Sequence, residues 1–130
     1  IGYVEEGRVL RLRDWPAGDA DAKLLARVSS AGEPPWVEIV ASHAGADGRV
    51  VRLLCDAGVR GLVVAATGNG TVHRELEQAL IEAQARGIRV LRATRCGQGR
   101  IIATGHDRLA AAADLSPVKA RIALTLELLD

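Results

Sequence analysis

At 130 residues the chain fits one domain of ordinary size, long enough to bury a real core. Seventeen Lys and Arg stand against sixteen Asp and Glu, spread along the chain, which leaves no net field to draw nucleic acid or an anionic membrane surface. No apolar run approaches the roughly 18 residues that cross a bilayer.

The apolar residues make up 48% of the chain and are almost all Ala, Val, Leu and Ile, with two Trp, one Tyr and no Phe or Met. Small aliphatic side chains suit a sheet under closely packed helices and leave no platform for stacking bases. Cys55 reads as a small buried hydrophobe in a helix and Cys96 as a loop residue. Two cysteines in these settings define neither a disulfide framework nor a metal site. The chain opens on Ile1 rather than Met and is read as a fragment.

Gly2 to Leu12 alternates apolar and polar residues around Glu6-Gly7, which predicts a hairpin. A lone hairpin is marginal in water, so residues 1–13 are expected to belong to something larger. Residues 14–35 carry Pro16, Gly18, Gly32, Pro34 and Pro35 and read as an interdomain linker, with a brief helical turn over Ala22 to Val28. From Trp36 to Asp130 the pattern is that of one α/β domain. Trp36–Ala41 is a predicted strand. Arg49–Ala57 is a helix stopped by Gly58. Gly61–Ala66 is an apolar run expected of a central parallel strand buried on both faces. Val72–Ala85 is a helix with Leu76, Leu80 and Ala83 on one face, and Ile88–Ala93 is a third strand. Ile101-Ile102 is a candidate fourth strand. Ser116-Pro117 starts a last helix running to about Leu129, with Ile122, Leu126 and Leu129 along one stripe. This order predicts a small doubly wound parallel sheet of three to four strands flanked by helices, flavodoxin-like in plan.

Ligands of such sheets sit beyond the carboxyl ends of the strands. Three loops fall there: Ser42–Gly45, Thr67–Thr71 and Ala93–Gly97. Gly68 and Gly70 permit backbone angles closed to other residues and a close approach to the main chain. Two readings of Thr67–Thr71 stand side by side. One is a tight strand-to-helix turn, with Thr71 as a cap. The other is a cradle of free amides at a helix start, favourable to a carboxylate by about 0.3–1 kcal/mol. The Lys-Ser/Thr ending of a phosphate loop is absent. His43, His73 and His106 are scattered and suggest no metal site. Ser42-His43 invites a nucleophile–base pairing, but adjacent residues point apart and no Gly-x-Ser-x-Gly elbow is present. Arg92 and Arg95 are expected either to pair with nearby acids or to brace a subunit contact.

Three segments carry a resemblance. Gly61-Leu62-Val63-Val64-Ala65-Ala66-Thr67-Gly68-Asn69-Gly70-Thr71 resembles the Gly-rich strand and loop of the bacterial L-asparaginase/glutaminase family. Arg92-Ala93-Thr94-Arg95 is similar to its Arg-Ser-Ser-Arg segment, and Leu115-Ser116-Pro117-Val118-Lys119-Ala120-Arg121 to its Leu-Asn-Pro-Gln-Lys-Ala-Arg helix start. The resemblance covers Trp36 to Asp130 and implies the C-terminal domain of an amidohydrolase, and Gly2-Tyr3 with the hairpin of residues 1–13 looks like the end of the family's N-terminal domain, just before its interdomain linker. Such an enzyme converts asparagine, or glutamine, to the acid and ammonia with no cofactor or metal. It implies a threonine nucleophile, aided by a second threonine, a lysine and an aspartate, all in an N-terminal domain, and no catalytic residue in this chain. It implies a homo-oligomer, a tetramer built as a dimer of dimers, in which this domain completes a neighbour's site on a small-molecule amide substrate. By position, Asn69, Gly70, Thr71 and His73 are then the substrate-binding candidates. Thr71 stands where the family has an asparagine, His73 where it has a tyrosine, and Ile101 near the place of a family glutamate. The alternative is a stand-alone small-anion or protein-binding module without catalysis. Preference between the two amides, and the choice of bacterial cytoplasm or periplasm, are not set by these residues.

Overall fold

The structure is a computed structural model and describes residues 2–11, 14, 21–102 and 104–129. The ends of the predicted hairpin and most of the first half of the predicted linker lie outside the described residues. Gly2–Glu5 (β1) and Arg8–Arg11 (β2) pair antiparallel across Glu6-Gly7, both in the left-handed region (φ 46° and 76°), so the predicted hairpin forms. All eight of its strand residues are exposed.

The segment read as a brief turn is a full helix, Ala22–Ser30 (α1). Asp21 caps it by accepting the amides of Lys23 and Leu24. Arg27 reaches across to the carbonyls of Leu126, Glu127 and Leu129, where a cation meets the negative end of the last helix.

Val37–Ala41 (β3), Gly61–Ala66 (β4), Arg89–Thr94 (β5) and Ala110–Ala111 (β6) form one parallel sheet in chain order. Arg49–Asp56 (α2) and Arg74–Ala85 (α3) cover one face, and Pro117–Glu127 (α4) covers the other. The α/β reading therefore holds, with helices on both faces. All six residues of β4 are buried. Leu62 and Val64 face the α2–α3 layer, while Val63 faces α4 among Val37, Ala93, Ala112, Ala120 and Leu124. Gly61 lets α4 come close: a Cβ there would lie 2.9 Å from Leu124 Cδ2 and 3.0 Å from Leu128 Cδ1. Arg121 Nε, donating to the Val37 carbonyl at 2.8 Å, ties the same helix to the edge strand.

Three expectations need correction. The fourth strand is Ala110–Ala111, not Ile101-Ile102. Ile101 is instead buried in a loop that folds back on the sheet edge. The buried stripe of α4 is Ala120 and Leu124, with Leu129 just beyond the helix; Ile122 is 50% exposed. Helix α3 begins at Arg74, two residues later than read, with His73 rather than Thr71 at its N-cap position.

Candidate functional site

The registers β3–β4 and β4–β5 bring the carboxyl ends Ala41, Ala66 and Thr94 into line. The three following loops therefore start side by side, and hydrogen bonds lace them together. The buried Ser42 hydroxyl accepts the His73 amide at 2.9 Å. Thr94 Oγ1 donates to the Gly68 carbonyl at 2.7 Å and accepts the Cys96 amide at 3.1 Å.

Between them, Thr67–Thr71 closes on itself. The Thr67 amide donates to the Thr71 carbonyl at 3.1 Å, and the Thr71 amide to the Thr67 carbonyl at 2.8 Å. The Gly70 amide also donates to Thr67, at 2.9 Å. Gly68 and Gly70 take the left-handed angles the sequence suggested (φ 49° and 86°). Gly70 is constrained twice, because a Cβ there would meet Ile101 Cδ1 at 2.8 Å and Arg92 Cδ and Nε at 3.1 Å.

The side chain of Asn69 is committed within the chain. Its Oδ1 accepts the Ile102 amide at 2.6 Å and its Nδ2 donates to the Ile102 carbonyl at 3.3 Å. Thr71 differs: it is exposed, and its hydroxyl has no hydrogen-bond partner among the described residues. His73 is half-buried, with Nδ1 buried and unpartnered among the described residues. The structure thus gathers Asn69, Gly70, Thr71 and His73 at one edge, with distinct environments. The amides of Gly70, Thr71 and His73 are spent on protein acceptors, while the first turn of α3 has no side-chain cap.

Sequence reasoning missed what holds the turn. Arg92 rises from β5, donates Nη1 to the Gly70 carbonyl at 3.3 Å, and sets Nη2 3.0 Å from Asp107 as an ion pair without hydrogen-bond geometry, its Nε and Nη2 being buried with no hydrogen-bond partner among the described residues. The two side chains are only 13% and 21% exposed. Asp107 in turn accepts the Thr104 amide at 2.7 Å and the Thr104 hydroxyl at 3.1 Å. The Thr104 amide bond above all, with the nearby Arg92 guanidinium and the Thr104 hydroxyl, holds the Asp107 carboxyl below its ordinary 3.8 against the opposing cost of desolvation. A depressed carboxyl contributes stability that is fully present above its unfolded value and lost as pH falls through the folded one. Asp107→Asn is therefore expected to lower the urea midpoint at neutral pH. The gap from the parent should close as the pH drops below 3.8; a gap that stays constant into acid would refute the assignment.

The remaining candidates do not form a reaction centre. Ser42 is engaged with His73, while His43 Nδ1 lies 2.9 Å from the Ala44 carbonyl, so they make no nucleophile–base pair. Burial pushes the Cys55 thiol up, and Cys96 is exposed. Among the described residues no three His, Cys, Asp or Glu side chains converge. A cleft of about 530 Å³ beside the first turn of α3 is lined by Asp47, Arg52, Arg74, Glu75 and Arg108, charges of both signs.

A four-stranded parallel sheet wrapped by helices, with a braced, glycine-shaped turn at its carboxyl edge, defines a small α/β domain. Residues 36–129 match the model of the glutaminase/asparaginase C-terminal domain, and the chain belongs to that family. It is 32% identical over 136 aligned residues, 98% of this chain, to L-asparaginase 2 of Escherichia coli strain K12. It is 29% identical over 94% of this chain to a glutaminase-asparaginase of Pseudomonas fluorescens biotype A. A probable cytoplasmic L-asparaginase from Campylobacter jejuni has a similar crystal structure, with a TM-score of 0.78 and 29% identity over 98% of this chain. The chain spans 38% and 35% of the two curated relatives and 41% of the solved one.

Proposed function

We propose that this chain is the C-terminal domain of an L-asparaginase that hydrolyses L-asparagine, with L-glutamine as a second candidate, to the acid and ammonia. In this reading a threonine nucleophile in an N-terminal domain attacks the side-chain amide. The domain described here completes the active site of a neighbouring subunit in a homo-oligomer, a dimer of dimers. No cofactor is invoked. The hairpin of β1 and β2 belongs to the N-terminal domain, and the segment through α1 to Pro35 is the connection.

One observation carries the reading: the Thr67–Thr71 turn is braced on every side, yet the Thr71 hydroxyl is left exposed and without a partner among the described residues. A turn serving only its own fold has no need to hold one polar side chain outward on so rigid a base. A group presented in this way meets its ligand with little ordering cost. The strand order supports the same reading. The four strands follow chain order, with no reversal that would open a crevice at the sheet's own edge. Within the turn, Asn69 and Gly70 shape the backbone, while Thr71 and His73 face the substrate side.

The test is ammonia release. The complete polypeptide is expected to release ammonia from asparagine, and residues 1–130 alone to release none above the uncatalysed rate. Turnover by the short chain would contradict the division of roles.

A further inference from the structure

The peptide between Gly70 and Thr71 is held at both of its polar ends. Its carbonyl accepts Arg92 Nη1 at 3.3 Å, and its N–H donates to the Thr67 carbonyl at 2.8 Å. A peptide unit is planar, so fixing its oxygen and its hydrogen fixes the plane and the place of the Thr71 Cα, and the Thr71 carbonyl, which accepts the Thr67 amide at 3.1 Å, limits rotation beyond it and so the direction in which the side chain leaves the backbone. The Thr67 end is a short-range contact within the turn. The Arg92 end is anchored elsewhere. Arg92 sits inside the sheet, its strand paired with Val64 on one side and Ala111 on the other. Its guanidinium is turned toward the turn by Asp107, which Thr104 fixes through two hydrogen bonds.

We infer that Arg92 and Asp107 are positioning residues that aim Thr71 at the substrate in the neighbouring subunit's site, with Thr104 as their support. The inference rests on the proposed subunit-bridging role of the turn and adds the device that makes the turn precise. A charge pair suits the task, because its two partners hold each other in a geometry that neither a lone arginine nor a neutral amide enforces as strictly. The ion pair does not touch substrate. Its effect on catalysis passes through the Gly70 carbonyl.

The experiment is a double-mutant cycle on the complete protein, with KM and kcat for asparagine as readouts. Thr71→Val removes the presented hydroxyl and is expected to raise KM about two- to tenfold, the worth of one net hydrogen bond. Asp107→Asn keeps the shape and removes the charge, and is expected to raise KM by a similar factor with kcat nearly unchanged. In the Thr71→Val background, Asp107→Asn is expected to add nothing further, since the group it aims is gone. Glu127→Gln breaks the exposed Arg89–Glu127 pair at the opposite end of β5 and serves as the control, with KM unmoved. Should Asp107→Asn fail to assemble, Thr104→Val withdraws one of Asp107's bonds and is expected to show a smaller KM shift with the same non-additivity. An unchanged KM in Asp107→Asn, or factors that multiply in the double variant, would overturn the positioning role while leaving the turn's contact with substrate standing. An unchanged KM in Thr71→Val would remove that contact, and the positioning role with it.

Discussion

Leu124→Ala is expected to cost about 2–5 kcal/mol of unfolding free energy, toward the upper part of that range. Leu124 is fully buried on the α4 face of the sheet, among Val37, Val63, Ala93, Ala112 and Ala120. Truncation costs the lost transfer energy plus the cavity left behind, and the second term depends on how far the surroundings can collapse. Here they have little to move inward. Three of those neighbours are alanines, and the strand opposite presents Gly61, which has no side chain. Ile122→Ala on the same helix is the paired measurement. Ile122 is 50% exposed, and its truncation is expected to cost under about 1 kcal/mol. Urea unfolding of both variants decides between the two faces, and equal losses would put the buried stripe of α4 where the sequence pattern alone places it.

That misplaced stripe shows where the chain is legible and where it is not. The central strand reads plainly because a parallel strand between two helical layers must be apolar on both faces, and Gly61–Ala66 is. The start of α4 is equally plain: the Ser116 hydroxyl accepts the Lys119 amide with Pro117 behind it. The buried face of α4 is less so. A count of large side chains favours Ile122, Leu126 and Leu129, but the groove over Gly61 selects Ala120 and Leu124. Small residues at a close contact leave no mark in a hydrophobicity pattern.

Ala110–Ala111 becomes a strand only because β5 offers it a partner, through Leu91 and Arg92. Alanine carries no strand preference of its own, so the apolar Ile101-Ile102 pair drew the prediction instead. At the sheet edge, Gly68 and Gly70 announced the turn. Its braces did not announce themselves, since Ile102 and Asp107 lie more than thirty residues downstream of Asn69, in a stretch with no period. Arg92 near the end of a predicted strand, expected there to find an acid or a subunit contact, was the available signal.

Gly70→Val is expected to cost about 2–5 kcal/mol, from two separate penalties. The backbone at Gly70 has φ 86°, a region a β-branched residue resists by about 1–2 kcal/mol. The added carbons would also press on Ile101 Cδ1 at 2.8 Å and on Arg92 Cδ and Nε at 3.1 Å. Ile101 is 5% exposed and Arg92 is held by Asp107 and the Gly70 carbonyl, so neither can retreat without breaking a contact of its own. Overpacking of this kind costs about 1–3 kcal/mol. Gly68→Ala separates the two penalties. Gly68 also has a left-handed φ, 49°, but nothing lies within 4 Å of its would-be Cβ. Its substitution carries the backbone penalty alone, about 1 kcal/mol. The difference between the two variants in denaturant unfolding measures the steric term. If Gly70→Val were no worse than Gly68→Ala, the packing of Ile101 and Arg92 against the turn would be loose, and the turn would lack the rigid base from which Thr71 is presented.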